Sequence, residues 1–430
     1  MDLSKLKDIK GIFKKAAFLK NYTKLLIPVV ITLVAVVFLA VTPMLAGGLK
    51  DQIEDNSIDA ARELESLRRD PFPMEQWKVE QEYQSAYESD VNKINKLAIQ
   101  TTQRELLNYE IFPEPKKESV MLFRQEFGRQ YHAALEKLAD QVNGQDCPSE
   151  AEIKQRIERS SGEGGGRMRR SLTGRSPRSS QRGQEEIITD VLCKERAQSS
   201  GVYLSVNQLP GYFFWDDYQY ESLEIALADC WYSQLAYWVV EDIITTAGKM
   251  NSSSASVLNN PVKRIVSIEF EPGSSSRRSG RRSDTSSAAN PLPAYVTSEE
   301  NWLTNSITGR VSDETLDILH FETSVVVDSR RVLEFMNTLC SGRKHTFRGF
   351  DGNSPAKTFM HNQITVLESD AVSFNRQEGE HLRYRYGEAP VVRLDLTCEY
   401  QFYKAGYEEI KPEVVKQAMS PEEEDMSRRY

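Results

Sequence analysis

The hydrophobic pattern of the chain opens with one uninterrupted apolar run. Residues 25–46 contain 22 positions without a charged side chain. As a helix rising about 1.5 Å per residue, this run would span about 33 Å, enough to cross the hydrocarbon core of a bilayer. The run is too long for the apolar core of a cleaved signal peptide, and Met44-Leu45-Ala46 is a poor cleavage site. We therefore predict a single uncleaved transmembrane helix at 25–46.

The two sides of this run differ in charge. Seven lysines and two aspartates precede residue 25, so residues 1–24 carry about +5, and the remainder of the chain carries about −14. Basic residues flanking a membrane span face the cytoplasm, which makes 1–24 a cytoplasmic tail and puts the rest of the chain on the other side. An amphipathic helix over Leu3 to Lys20, lying on anionic lipid, is the alternative for the tail.

Helical periodicity follows the apolar run. Residues 57–110 are rich in Glu, Gln, Lys, Ala and Leu, with Pro71 and Pro73 as a break. In the second stretch, apolar side chains recur at three and four residues, which forms a stripe that can pair with another helix. The pattern predicts a helical stalk that forms a coiled coil. The candidate partner-binding stripe consists of Tyr83, Tyr87, Val91, Ile94, Leu97 and Ala98.

The middle of the chain, 117–215, shows further helical spacing and predicts an α-rich region. Within it, 160–183 is dominated by Gly, Ser and Arg, a composition that cannot bury apolar surface and predicts disorder. A second Arg/Ser-rich insert, 272–290, has the same character. Both read as solvated loops, with an anionic partner such as lipid headgroups, cell-wall polymer or nucleic acid as the alternative.

The region 218–405 has the clearest secondary-structure pattern. A broad apolar helix is followed by alternating segments in which one face is apolar and the other polar, which is typical of an antiparallel sheet covered on one side. The order is αββαββ, so we predict an α+β, ferredoxin-like sandwich, followed by a frayed acidic tail at 406–430. The elements are a helix over 221–245, strands over 264–270 and 319–327, a helix capped by Asp328, and strands over 360–366 and 392–402.

Candidate chemistry changes this picture little. The chain has no phosphate-binding loop, dinucleotide fingerprint, nucleophile elbow or zinc-protease motif, and its net charge of −9 argues against nucleic acid as the main partner. The five histidines are isolated in sequence, although His345 and His361 could meet across adjacent strands. We therefore predict no catalytic, cofactor or metal site. Cys340 and Cys398 are expected to be small core residues.

One aromatic stretch, 211–218, reads GYFFWDDY. We interpret it as a buried elbow, with a partner-binding patch as the alternative. Its two aspartates, Asp216 and Asp217, are adjacent in sequence and therefore point in different directions, so they do not suggest a catalytic carboxylate pair.

A basic tail, one span, a helical stalk and a terminal αββαββ unit together resemble the PilO and GspM type of protein. These are bitopic inner-membrane assembly proteins of type IV pili and type II secretion systems. The resemblance is carried by Lys5 to Lys24, 25–46, 74–109 and 221–403. It implies a non-enzymatic structural subunit of an envelope-spanning assembly platform, with a periplasmic C-terminal domain.

The resemblance also implies how such a subunit acts. The stalk would form a homodimer or a heterodimer, and the ferredoxin-like domain would pair with other inner-membrane assembly-platform proteins. A membrane-anchored extracytoplasmic sensor or ligand-binding module is the alternative. That alternative requires a pocket lined by the aromatic elbow.

Overall fold

The computed structural model describes residues 31–36, 39, 61–62, 64–65, 74–115, 121–164, 177–270 and 292–419. The chain divides into two compact units, Met1–Asp90 and Val91–Tyr430. The described residues of the first unit are all helical. The second unit contains the sheet, its covering helices and the hydrophobic core.

Helix α1 runs Met74–Thr102. It contains neither Gly nor Pro and is composed largely of good helix formers, which accounts for its length. The helix ends at Thr102, whose hydroxyl donates to the carbonyl of Tyr403 at 2.9 Å. The predicted stalk extended to residue 110, but the chain after Thr102 is irregular, and Leu106 and Ile111 are buried in the core.

The middle region is helical, as the spacing predicts. A π-helical turn at Leu122–Gly128 leads into α2, Arg129–Gln141, and Phe123, Phe127 and Leu135 are fully buried along one face. Two further helices follow, α3 at Glu150–Gly164 and α4 at Pro177–Ser199.

The Arg-rich inserts are only partly described. The expectation of disorder across 160–183 is wrong at both ends, because α3 continues to Gly164 and α4 begins at Pro177. Pro177 has a ring that fixes the backbone angle φ near its helical value, which makes it a favourable first residue of a helix. Residues 165–176 and the whole of 272–290 lie outside the described residues.

Helix α5, Leu223–Met250, lies at the centre of the fold. Ser222 caps its N-terminus by accepting a hydrogen bond from the amide of Ile225 at 3.3 Å. The helix is apolar on nearly all sides, and Trp231, Trp238 and Ile243 are buried. A helix of this kind requires cover all round. The sheet packs against one side, and α2 and the π-helical turn pack against another.

The main sheet has four antiparallel strands in the order β1-β2-β6-β5. The longest ladder joins β2 to β6, from Leu316 opposite Tyr403 to Asp328 opposite Val391. Alternate residues of β6 from Leu394 to Phe402 are buried, as the sequence alternation predicts. The strands are β1 Val262–Glu269, β2 Leu316–Asp328, β5 Ile364–Val372 and β6 Val391–Tyr403.

Helix α6, Val332–Leu339, separates β2 from a hairpin that the sequence did not reveal. Strands β3, Arg343–Phe347, and β4, Lys357–His361, form a separate two-stranded sheet. The predicted single strand over 360–366 is wrong, because the chain breaks after His361 and re-enters the main sheet at Ile364. A continuous apolar alternation can span such a break, because it does not specify which sheet a strand joins.

The C-terminal segment is also more ordered than expected. Helix α7, Glu413–Met419, packs on α5, and Val415 is buried. Lys411 is 1% exposed and donates to the Asp317 carboxylate of β2 at 2.9 Å. The hydroxyl of Tyr407 also donates to Asp317. The expected frayed tail at 406–430 is therefore wrong up to Met419, and the rest of it lies beyond the described residues.

The predicted membrane anchor is corrected. Within the described ranges, no helix is long and apolar enough to cross a membrane. Of the predicted span 25–46, the structure describes 31–36 and 39, which are helical, and the other residues of the span lie outside the described residues. This finding contradicts the transmembrane helix and the single-pass inner-membrane localisation, and neither is retained. The basic tail at 1–24 lies outside the described residues.

Helix α6 allows a matched test of the core. Phe335 is fully buried and Leu333, two residues earlier, is 75% exposed. We expect Phe335→Ala to lower the free energy of unfolding by about 3–5 kcal/mol through lost burial and a residual cavity. Leu333→Ala should change it by less than about 0.5 kcal/mol. Urea unfolding followed by tryptophan fluorescence measures both, and equal effects would contradict this packing.

Candidate functional site

Five polar side chains from five different segments meet beneath the sheet, and we call them the buried charge cluster. One comes from the irregular chain after α1, one from α5, one each from the two strands of the hairpin, and one from β6. The register of the hairpin places Arg343 opposite His361 and His345 opposite Phe359, so the two histidines share one face on a diagonal. The cluster consists of Arg104, Asp242, His345, His361 and Tyr400.

The carboxylate of Asp242 is the centre of the cluster. It is 2% exposed and accepts hydrogen bonds from Arg104 Nη1 at 3.2 Å, the Tyr400 hydroxyl at 2.7 Å and His361 Nε2 at 3.1 Å. Arg343 Nη1 lies 3.5 Å away. A buried carboxylate is tolerated only when its lone pairs are satisfied in this way.

The guanidinium of Arg104 also has several partners. It pairs with Glu241 at 2.5 Å and lies over the ring of Trp238, with 5.5 Å from Cζ to the ring centroid. Burial opposes ionisation of Asp242, but Arg104 and His361 outweigh this and hold the pKa of the carboxyl well below its usual range. Asp242 is therefore an anion, and Arg104 its principal counter-charge.

The two histidines lie next to this ion pair. Burial, followed by the charges of Arg104 and His361, lowers the pKa of His345 to about 4. Burial also lowers the pKa of His361, although Asp242 acts in the opposite direction. The two Nδ1 atoms are 2.9 Å apart. The possibility that these side chains meet across adjacent strands is thus observed.

A cavity of about 450 Å³ opens onto the cluster. Its lining includes Arg104, Asp242 and the two histidines, together with the exposed Lys137 and Lys344. Four of the five members of the cluster therefore border the cavity, whereas Tyr400 is fully buried and does not line it.

The aromatic elbow lies elsewhere and is largely a core element. Trp215 is buried, with its ring centroid 5.1 Å from that of Phe127 and 4.5 Å from that of Tyr218. Phe213 is the exposed aromatic residue of the stretch. Asp216 and Asp217 are both exposed and do not act as a pair.

The predicted stripe on α1 is uncovered by the rest of the described chain. The exposed fractions of Tyr83, Tyr87, Val91, Ile94 and Leu97 range from 48% to 76%, and Ala98 is half-buried. Of the two cysteines expected in the core, Cys398 is fully buried and Cys340 is half-buried.

Sequence reasoning missed Arg104, Asp242 and Tyr400. One signal was present, because two adjacent carboxylates, Glu241 and Asp242, interrupt an otherwise apolar helical stretch between Trp238 and Ile243. A charged residue at such a position requires a buried partner. Nothing local identifies that partner as Arg104, which is 138 positions away in sequence.

Among the residues that the structure describes, no three His, Cys, Asp or Glu side chains are placed to hold a metal ion. Comparison with protein-family models, with curated proteins and with solved structures found no match. The resemblance to pilus and secretion assembly proteins therefore stays a prediction.

Two adjacent carboxylates on α5 test the cluster. Asp242→Asn should lower the free energy of unfolding by about 3 kcal/mol, because it leaves the two guanidinium groups without their shared buried anion. Glu241→Gln is the matched control: the Glu241 side chain is 36% exposed, and its loss should cost less than about 1 kcal/mol. Urea unfolding at neutral pH compares them, and a larger effect at Glu241 would contradict the central role of Asp242.

Proposed function

We propose that this protein is a non-enzymatic structural protein that self-associates through helix α1. The observation that supports this is the exposed apolar stripe from Tyr83 to Ala98. Large apolar side chains scattered singly on a surface need no explanation, but a continuous row along one helix is typical of an interaction surface.

The spacing of the stripe fits a helical partner. Tyr87, Val91, Ile94 and Ala98 are separated by four, three and four residues, which is the spacing of the core positions of a coiled coil. A second copy of α1 supplies an identical stripe, and a two-fold axis lets the same patch serve on both partners. Burial of these side chains is worth about 1.5–3 kcal/mol for each fully covered Val, Leu or Ile.

The sheet-containing body supports this role by holding the C-terminal end of α1. Thr102 is bonded to β6, and Arg104, two residues later, is bonded to α5 and β6. A helix attached in this way transmits an association event to a rigid core. Location in the inner membrane, which the resemblance to PilO and GspM implies, is not proposed for this chain.

Sedimentation velocity on the full chain over a concentration series tests the proposal. The wild type should show a concentration-dependent dimer. Val91→Asp combined with Ile94→Asp should raise its dissociation constant about 100-fold or more, because each interface would then bury unpaired carboxylates.

A control of equal charge is available on the same helix. Ser85 and Ser89 are exposed and lie on the face opposite the stripe. Ser85→Asp combined with Ser89→Asp should leave the dissociation constant unchanged. A wild type that stays monomeric, or equal losses in both double variants, would count against α1 as the association surface.

A further inference from the structure

A continuous chain of four polar groups crosses the buried charge cluster. The carbonyl of Gln103 lies 3.0 Å from His345 Nε2, His345 Nδ1 lies 2.9 Å from His361 Nδ1, and His361 Nε2 lies 3.1 Å from Asp242. Both ring nitrogens of both histidines are therefore engaged. These three contacts are independent of the proposed association through α1.

Each of the three contacts is an attractive hydrogen bond only if one of its two atoms carries a hydrogen. A carbonyl oxygen can only accept, so His345 Nε2 must carry a hydrogen. The Asp242 carboxylate already accepts from Arg104 and Tyr400, and as an anion it can only accept, so His361 Nε2 must also carry one. Two neutral imidazoles hold two hydrogens in total, and both are now assigned.

The contact between the two Nδ1 atoms is then left without a proton. Two nitrogen lone pairs that face each other at 2.9 Å repel. Protonation of Asp242 would supply the missing hydrogen, but the guanidinium of Arg104 at 3.2 Å opposes it. The remaining source is a proton held between the two imidazole rings.

We propose that His345 and His361 form a buried proton-binding latch, in which one proton shared by their Nδ1 atoms completes a hydrogen-bonded chain from Gln103 to Asp242. When the proton is bound, it joins the side chains of β3 and β4 to each other, so that the His345 contact with Gln103 and the His361 contact with Asp242 become one continuous chain. When the proton is absent, the two rings separate and the hairpin is held less firmly.

The charges around the pair set the direction of the pH response. Burial is the largest influence on both rings and disfavours the added proton, the two guanidinium groups also oppose it, and Asp242 favours it. The latch is therefore open at neutral pH and closes only on acidification well below the ordinary histidine value of 6.5, near pH 4. The titratable and charged groups around the pair are Arg104, Glu105, Lys137, Tyr237, Glu241, Asp242, Arg343, Lys344 and Tyr400.

The free energy of global unfolding changes with pH in the opposite direction. A lowered pKa in the folded state means that the unfolded chain binds the proton more tightly. The free energy of unfolding is therefore expected to fall as the pH drops from 6.5 toward about 4. Global destabilisation therefore takes place between pH 6.5 and about 4, whereas the hairpin tightens near and below pH 4, where the folded pair binds its proton. The opposite signs of the two effects make the latch distinguishable from a simple gain in stability.

The test uses the full chain with nitrogen-15 in its histidines. A proton–nitrogen titration from neutral pH to below pH 4 should show His345 and His361 as neutral rings with hydrogen on Nε2, and then a joint shift of both Nδ1 signals with one strongly downfield proton. Over the same range, hydrogen exchange of the β3–β4 amides, corrected for its intrinsic pH dependence, should slow about tenfold, as for one added hydrogen bond to a charged group.

Two variants distinguish the effects of the His345–His361 pair from those of the other histidines. His345→Gln should abolish the joint shift and leave hairpin exchange independent of pH, whereas His320→Gln, at another buried histidine with a lowered pKa, should keep both signals. Should His345→Gln not fold, the wild-type titration and His320→Gln decide the matter. Independent titration of the two rings with unchanged hairpin exchange would overturn the proposal, and so would Nδ1 signals that respond to zinc or chelator rather than to pH.

Discussion

Burial of the Asp242 carboxylate within the long apolar helix α5 is the constraint on which the rest of the fold depends. Removing an ion from water costs several kcal/mol even after relaxation, and only hydrogen bonds and a counter-charge offset this. Helix α5 supplies neither at that position. The chain after α1, the hairpin and β6 must therefore converge on it, which they do through Arg104, His361 and Tyr400.

A second buried carboxylate lies near the same end of the β2–β6 ladder, where Asp317 is opposite Phe402 and Leu319 is opposite Tyr400. Asp317 is fully buried: its Oδ2 accepts hydrogen bonds from Lys411 and Tyr407, and Lys404 Nζ lies 3.4 Å from its Oδ1. The ring of Tyr407 in turn stacks on Trp231 of α5, with 5.5 Å between centroids. Segments that look like a linker and a tail in the sequence are thereby attached to the core, because each contributes one side chain that a buried anion requires.

The proposed association surface and the proposed latch depend on different interactions. The stripe on α1 is apolar and is left exposed by the described chain, so covering it with a partner helix removes apolar surface from water. The histidine pair is polar and fully engaged, so what it lacks is a proton rather than a partner. The cavity above the cluster gives that proton a route from solvent, and the hydroxyl of Tyr400 closes the other side.

The sequence by itself determined the helices and strands whose formation depends on residues close together along the chain. The alternation along 392–402 corresponds to β6, the broad apolar stretch over 221–245 corresponds to α5, and the spacing of the stripe corresponds to α1. These assignments hold because helix and strand periods are properties of consecutive residues. The prediction of a membrane span at 25–46 was wrong, since no helix of the described residues is long and apolar enough to cross a membrane.

Tertiary structure alone decided the candidate site, the β3–β4 hairpin and the packing of α7. The members of the buried charge cluster come from positions 104, 242, 345, 361 and 400, and no period along the chain relates them. His345 and His361 share a face only because of the register of a hairpin that no local signal specified. Electrostatic satisfaction of a buried group acts through space, so its partners become visible only when the fold brings them within hydrogen-bonding distance.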